Sequence, residues 1–269
     1  MSDLLRCSVK QLELAFNCPR RWAYHYLEKQ QQFDGPALRD GNAVHHDMKC
    51  LIEGTPPVHG PETYIGKMCR ALLPYAENKS GKHQSEIIKH VKLPEYGLSV
   101  DLRADYLDQP VFKDWKTTGA PHAKATLPVP GGGKKFWCMQ NLDNCWQARI
   151  YSHLLMSEHW RIPEVHARWC YVSKKFKPGQ EPKTWVVERT FEYHENKAWF
   201  EKYVLPTADL IRQLRQAWDE KQLDNCRIVP HHPRSCEGVG TFCDVSGRCG
   251  FISSPVMSYK DLHLPIIQG

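Results

Sequence analysis

Three short patterns in the middle of the chain hold residues that could do chemistry together. Asp105 lies in Leu102-Arg-Ala-Asp105-Tyr-Leu, Asp114 and Lys116 in Phe112-Lys-Asp-Trp-Lys-Thr117, and Gln147 and Tyr151 in Gln147-Ala-Arg-Ile-Tyr151. Side chains two apart on a strand share a face, so Asp114 and Lys116 project together and Trp115 points the other way. A tight connection at Gln109-Pro110 makes the preceding strand an antiparallel neighbour, and Asp105 can then sit across from Asp114. Two carboxylates converging at the end of a hairpin are hard oxygen ligands for Mg²⁺ or Mn²⁺. The ammonium of Lys116 can polarise an attacking water or neutralise charge on a phosphorane. In this order, the residues carry the chemistry of a metal-dependent phosphodiesterase. Asp-x-Lys alone is a common pattern that also suits a surface ion pair; the ordered series gives it weight. Asp101 is a second acid on the same side of the strand, and its spacing to Asp114 is less favourable than that of Asp105.

The cysteines form a second group. Cys7, Cys50, Cys69, Cys138, Cys145, Cys170 and Cys226 are scattered singly and read as small buried apolar residues. Cys236, Cys243 and Cys249 fall in a Gly-rich stretch with little helix or strand propensity and no core of its own to bury them. Clustered cysteines in a reducing compartment favour metal over disulfides, and thiolates suit iron–sulfur or zinc. Joined to Cys18, in Asn17-Cys-Pro-Arg-Arg-Trp22, they could clamp the two ends of the domain and remove chain entropy from the unfolded state.

The elements that must position these residues follow from periodicity. Ser8-Val-Lys-Gln11 is a capping box opening a helix with Leu12 and Phe16 on its apolar side, and Pro19 suits the first turn of another carrying Trp22, Tyr26 and Leu27. A polar loop over Gln30 to Asp40 precedes a helix from Asn42 to Glu53 that stops at Gly54, and a fourth helix over Glu62 to Glu77 is broken at Pro74. Leu98, Val100, Leu102, Ala104 and Tyr106 alternate with polar residues in a half-buried strand. Gln84 to Leu93 precedes it and Val111 to Thr117 follows. A helix over Asn141 to Trp160, strands over Val165 to Ser173 and Trp185 to Tyr193, and a long helix over Glu195 to Leu223 interrupted at Pro206 complete the pattern. Thr118 to Lys135 is rich in Pro and Gly and reads as an irregular insert beside the site.

Composition sets outer limits. The residue balance is that of a globular protein, and no apolar run reaches the roughly 18 residues that span a bilayer. Asp3, Lys10 and Glu13 stand where a signal peptide needs an apolar stretch, so a cytoplasmic protein without membrane contact is expected. The net charge of +6 is compatible with a polyanionic partner.

With these elements in this order, the chain resembles the PD-(D/E)XK nuclease superfamily in its RecB-like branch. Asp105 falls on the family's acid before the hairpin, Asp114 and Lys116 on its paired acid and lysine, and Gln147 and Tyr151 on its Gln-x-x-x-Tyr helix motif. Gly41-Asn-Ala-Val-His45 matches its Gly-x-x-x-His, with His46 adjacent. Cys18 with the triplet Cys236, Cys243 and Cys249 is similar to the 4Fe–4S arrangement of CRISPR-adaptation exonucleases and AddB-type nuclease domains, although the first gap of the triplet is longer here. The resemblance implies an α/β fold with a restriction-endonuclease-like mixed central sheet flanked by helices, its N- and C-terminal segments joined by a cysteine-bound metal cluster. One nuclease domain would span 1–269, with a helical part at 1–80, a catalytic sheet and helix at 84–193, and a helix with the cysteine segment at 195–252.

The same resemblance implies that His45, Asp105 and Asp114 bind Mg²⁺ or Mn²⁺, that Lys116 assists water, and that Gln147 and Tyr151 position substrate or Lys116. Cys18, Cys236, Cys243 and Cys249 would bind a 4Fe–4S cluster, with zinc as the alternative occupant. The implied activity is hydrolysis of DNA, most of all exonuclease action on single-stranded or frayed ends. The setting would be recombination, repair or defence in a bacterium or bacteriophage. No Walker A pattern is present, so unwinding would fall to a helicase or recombination partner. Arg20, Arg21, Lys134 and Lys135 are expected phosphate contacts. The rival is a non-catalytic nucleic-acid-binding or adaptor protein with a structural metal site.

Overall fold

The alternation that begins at Leu98 builds one long strand, and the sheet is arranged around it. The computed structural model describes residues 4–29, 36–76, 84–119, 126–128, 134–136, 142–158, 162–223, 225–230 and 249. Strand β3 (Leu98–Asp108) pairs antiparallel with β2 (Gln84–Leu93) along nearly its whole length. Its other edge is shared by two strands. At one end β1 (Leu5–Ser8) runs parallel to Leu98 through Asp101, and at the other β4 (Val111–Thr118) folds back against Tyr106 through Asp108. β4 then runs parallel to β7 (Glu164–Ser173), which pairs antiparallel with β8 (Thr184–Glu192). Among the described residues the sheet is mixed and six-stranded, and helices cover both faces, as the sequence leads one to expect.

The larger core lies between the sheet and helices α1 (Val9–Asn17), α2 (Pro19–Tyr26), α5 (Trp146–Glu158) and α7 (Leu205–Asp219), through Leu12, Trp22, Leu154 and Ile211. The smaller core lies under α3 (Pro36–Ile52) and α4 (Tyr64–Leu72), where Val44, Met48 and Met68 meet Trp115 and Val172. Both first helices start where local chemistry requires. Ser8 Oγ accepts the Gln11 N–H at 3.2 Å while Gln11 Oε1 accepts the Ser8 N–H at 3.3 Å. Pro19, with no N–H to lose, takes the first position of α2, and the Cys18 sulfur caps it by accepting the Arg21 N–H at 3.4 Å.

Several elements depart from the sequence reading. β1 was not anticipated, because four residues running straight into a capping box carry too little alternation to stand out. α3 begins at Pro36 and not near Asn42: proline suits the first helical turn, and Gly41 is carried inside the helix. The helix over Glu62 to Glu77 is shorter, with α4 ending at Leu72 and a 3₁₀ turn over Leu73–Ala76 enclosing Pro74. α5 begins at Trp146, after a turn in which the Cys145 N–H donates to the Leu142 carbonyl. The long C-terminal helix divides into α6 (Tyr193–Trp199), a π turn over Phe200–Val204, and α7. Pro206 lacks an N–H and crowds the carbonyl four residues back, so the disturbance falls ahead of the proline. The insert is not wholly irregular, since β5 (Thr126–Pro128) pairs with β6 (Lys134–Phe136) as a separate two-stranded hairpin. Among the described residues no helix is long and apolar enough to cross a membrane.

Candidate active site

The shared edge of β3 creates a fork. Strands cover that edge at Leu98–Asp101 and at Tyr106–Asp108, and Asp105 lies in the gap between them. The sequence places Leu98 through Tyr106 on one apolar face, but the faces change here. Leu98, Val100, Leu102 and Ala104 belong to the larger core, whereas Tyr106 belongs to the smaller one. The pairings Ile87↔Ala104 and Ser85↔Tyr106 keep one register, so the change is a local twist and not an inserted residue. Glu86, the position facing Asp105 on β2, has a φ of 42°, an unusual conformation for a residue with a side chain.

The splayed strands leave backbone groups that side chains satisfy. Asp105 Oδ2 accepts the Trp115 N–H at 2.7 Å, which binds β4 to β3 beyond their last paired residues. Tyr151, buried on α5, brings its hydroxyl to the backbone of Arg103 and packs edge-on against Phe112 at 6.1 Å. Tyr151 is therefore a brace for the β3 side of the fork. Gln147, one turn earlier on α5, accepts a hydrogen bond from the Lys116 ammonium at 3.1 Å.

His45, Asp105 and Asp114 converge, with one ligand atom from each lying within 4.8 Å of the others. His45 Nδ1 is 2.8 Å from Asp105 Oδ1, and Lys116 Nζ is 2.6 Å from Asp114 Oδ2. The Asp114 side chain is only 4% exposed, while His45 at 35% and Lys116 at 30% mark the side open to solvent. Burial raises the Asp114 carboxyl; Lys116 opposes this, neighbouring Asp105 adds to it, and the outcome is about 7. Burial works against ionisation of Asp105 too, but the hydrogen bond and charge of His45 outweigh it and hold that carboxyl at about 2. For His45, burial disfavours the cation and Asp105 more than restores it, so its pKa is raised. Lys116 is likewise raised, with Asp114 overcoming burial.

These residues fit a divalent cation. Asp114 Oδ2 is buried with no aligned hydrogen-bond donor among the described residues, although the Lys116 ammonium lies close. Asp105 and Asp114 lie in hydrogen-bond contact, and two carboxyl groups this close favour a shared proton or a bound cation over two free charges. One imidazole and two carboxylates also suit Mg²⁺ or Mn²⁺ better than a thiophilic metal.

The alternatives in the sequence separate cleanly. Asp101 is engaged with Arg6 at 3.2 Å and His90 at 2.5 Å, outside this group, and His46 turns to Cys50 at 3.6 Å. Glu13 on α1 was missed. It is exposed on α1, and desolvation raises its carboxyl while Lys116, then Lys10, pull against the rise. The only sequence signal for it is an acid between Leu12 and Leu14 on an otherwise amphipathic helix.

Cys18 and Cys249 are both buried. Arg20, in the first turn of the helix that Cys18 caps, donates to the Cys249 carbonyl at 2.8 Å and approaches its sulfur at 3.6 Å. Cys236 and Cys243 lie outside the described residues, as does Cys138. Burial pushes the thiols of Cys7 to about 11 and of Cys69 and Cys170 to about 12, consistent with the inert role expected of them. The expectation for Arg20 is corrected: it is fully buried and no phosphate can reach it.

No family model matches the chain, and no curated relative does. Among solved structures, one protein from Eubacterium rectale, whose name proposes an exonuclease, has the same fold. The match has a TM-score of 0.53 at 13% identity, over 97% of this chain and 92% of that one. The crystal structure of SSO0001 is similar with a TM-score of 0.40 at 13% identity, over 94% and 90% of the two chains. At such identity the first likeness establishes a shared fold and the second carries no argument.

Proposed function

We propose that the chain is a metal-dependent deoxyribonuclease of the RecB-like PD-(D/E)XK type, acting as an exonuclease on single-stranded or frayed DNA ends. A 4Fe–4S cluster on Cys18, Cys236, Cys243 and Cys249 would clamp its two ends. One observation carries the catalytic reading: His45, Asp105 and Asp114 meet within 4.8 Å beside an ammonium 2.6 Å from Asp114. A surface ion pair needs neither the histidine nor a nearly inaccessible second acid. The likeness to a structure named for an exonuclease supports the reading through its fold.

His45, Asp105 and Asp114 would hold Mg²⁺ or Mn²⁺, which when bound supplies Lewis acidity at the scissile phosphate and lowers the pKa of water. The remaining roles belong to the chain. Gln147 fixes one of the three ammonium donors of Lys116 and Asp114 draws the charge toward the strand. A remaining donor can orient the attacking water and meet negative charge as it builds on the phosphoryl oxygens. Tyr151 holds the β3 side of the fork, so that Asp105 keeps its distance from Asp114. The net charge of +6 suits a polyanionic substrate.

The test is incubation of anaerobically purified protein with Mn²⁺ and end-labelled single- and double-stranded DNA. Progressive release of short products from single-stranded ends is expected. Tight DNA binding with no cleavage in Mn²⁺ or Mg²⁺ would favour the non-catalytic binding module.

A further inference from the structure

Arg20 is an unusual residue to find buried. Its side chain is fully buried, and a guanidinium remains charged at any ordinary pH. Its partners are Val229 O, accepting from Nε at 2.7 Å, and Cys249, through its carbonyl at 2.8 Å and its sulfur at 3.6 Å. The last nitrogen, Nη2, has no partner among the described residues. Two neutral carbonyls and a thiol do not balance a buried cation, and such a charge is retained only where something negative answers it.

The thiols nearby are not treated alike. Cys226, also buried beside α2, has the Glu28 carboxylate against it; burial first, then Glu28, drive its pKa up and keep it a neutral thiol. Cys249 instead meets the guanidinium, and Cys18 sits at the amino end of α2, where its sulfur accepts a backbone N–H. Two of the four proposed ligand cysteines thus meet a guanidinium or a helix amino end, whereas their neighbour Cys226 meets a carboxylate.

We infer that Arg20 is the counter-charge of the thiolate metal site: it offsets the negative charge of Cys18 and Cys249 as thiolates and ties the α2 end of the site to the Cys249 end. The inference rests on the proposed cysteine-bound metal and goes beyond it by assigning a residue that is no ligand. Removing the guanidinium leaves the site more negative, so an iron–sulfur centre becomes harder to reduce and any bound metal is lost more readily.

The experiment compares anaerobically purified full-length wild type, Arg20→Gln and Arg20→Lys. Metal content, absorbance, rate of metal release to EDTA, reduction potential and thermal stability with and without metal are measured. For Arg20→Gln, at least about tenfold faster release is expected. Its potential should be more negative by about tenfold in the redox equilibrium, or about 59 mV for one electron. Arg20→Lys keeps the charge, so its potential should stay near wild type even where stability falls. Equal release rates and potentials in Arg20→Gln and wild type, with stability lowered alike in loaded and stripped protein, would make Arg20 a packing residue and overturn the inference. Should Arg20→Gln fail to fold, Arg20→Lys decides: a large potential change with the charge retained also overturns it. Wild-type protein without iron or zinc would instead sink the metal reading itself, before any variant is compared. Zinc in place of iron removes the potential measurement and leaves the release rate to decide.

Discussion

Asp114 has two neighbours that pull it in opposite directions, and its chemistry follows from that conflict. Asp105 makes a second negative charge unfavourable, Lys116 makes it favourable, and burial tips the balance toward a carboxyl that ionises near pH 7. A bound divalent cation would resolve the conflict, which is why loss of this side chain should be decisive. Asp114→Ala is expected to abolish cleavage of labelled DNA while leaving DNA affinity within about twofold, because the proposed cation would lose a ligand while the net positive charge of the chain would not fall. Lys116→Ala should lower the rate on the order of 10³-fold. Lys116→Arg should not restore it, since a planar fork cannot match the 2.6 Å and 3.1 Å contacts that a compact ammonium makes with Asp114 and Gln147. Near wild-type cleavage by either alanine variant would remove these residues from the chemistry. The pairing of Asp114 with Lys116 was legible in the sequence through period-two geometry, and one tight turn brought Asp105 to their neighbourhood, but the twist that seats Asp105 was not legible. Neither was Arg20, because charged residues on helices read as solvent-facing and only the packed neighbours reveal otherwise.

At the scale of elements, long regular patterns translated directly and short or strained ones did not. β3, β4, β7 and β8 lie close to where alternation puts them, whereas β1 is too short to show a period and the twist at Asp105 leaves no mark on composition. That twist matters most, since it opens the fork that Tyr151 and Asp105 then fill. α5 presents a second buried titratable group. His153 stacks on Phe200 with centroids 4.1 Å apart, and burial, aided by Lys197, lowers its pKa to about 4. In the unfolded chain the imidazole titrates near 6.5. Between these values the unfolded state binds the extra proton, so stability is complete above about pH 6.5 and declines as pH falls toward 4. The shift corresponds to at most about 3 kcal/mol. His153→Phe, which preserves the stack, should flatten the pH dependence of the unfolding midpoint across this window. An unchanged slope would mean that other groups drive acid unfolding.

The insert is an element with its own expectation. Among the described residues β5 and β6 pair with each other and not with the main sheet. The insert leaves the strand bearing Lys116 and returns ahead of the helix bearing Gln147, and Lys124, Lys134, Lys135, Phe136 and Trp137 are residues of the kind that grip and stack on single-stranded DNA. Replacing Ala123 to Gly133 with a brief Gly-Ser link should leave the fold and the metal content intact while weakening affinity for single-stranded DNA several-fold in a binding titration. Unchanged affinity and unchanged degradation would make it a bystander.

At the scale of the whole molecule, the ends are tied by contacts very distant in sequence. Arg20 reaches Cys249 across 229 positions, its backbone N–H meets the Pro230 carbonyl at 3.2 Å, and the Cys226 N–H meets Glu28 at 3.3 Å. These bonds fasten the last described residues onto α2. A metal held by Cys18 and Cys249 would add a covalent closure to them. In the chain-entropy treatment of cross-links, a loop this long stabilises by about 5 kcal/mol. Cys249→Ser is therefore expected to lose bound metal, and broad absorbance near roughly 400 nm if that metal is an iron–sulfur centre. It should also unfold at a markedly lower temperature and shed its C-terminal segment early in limited proteolysis. Cys170→Ala, whose thiol is buried on β7 away from the chain ends, should keep metal and colour despite a small packing loss. DNA cleavage discriminates further: metal loss that leaves the folded remainder of Cys249→Ser catalytically active in Mn²⁺ would show that the clamp serves the fold and not the chemistry. A Cys249→Ser protein with wild-type metal content and melting temperature would show that the chain ends are held by hydrogen bonds and packing alone.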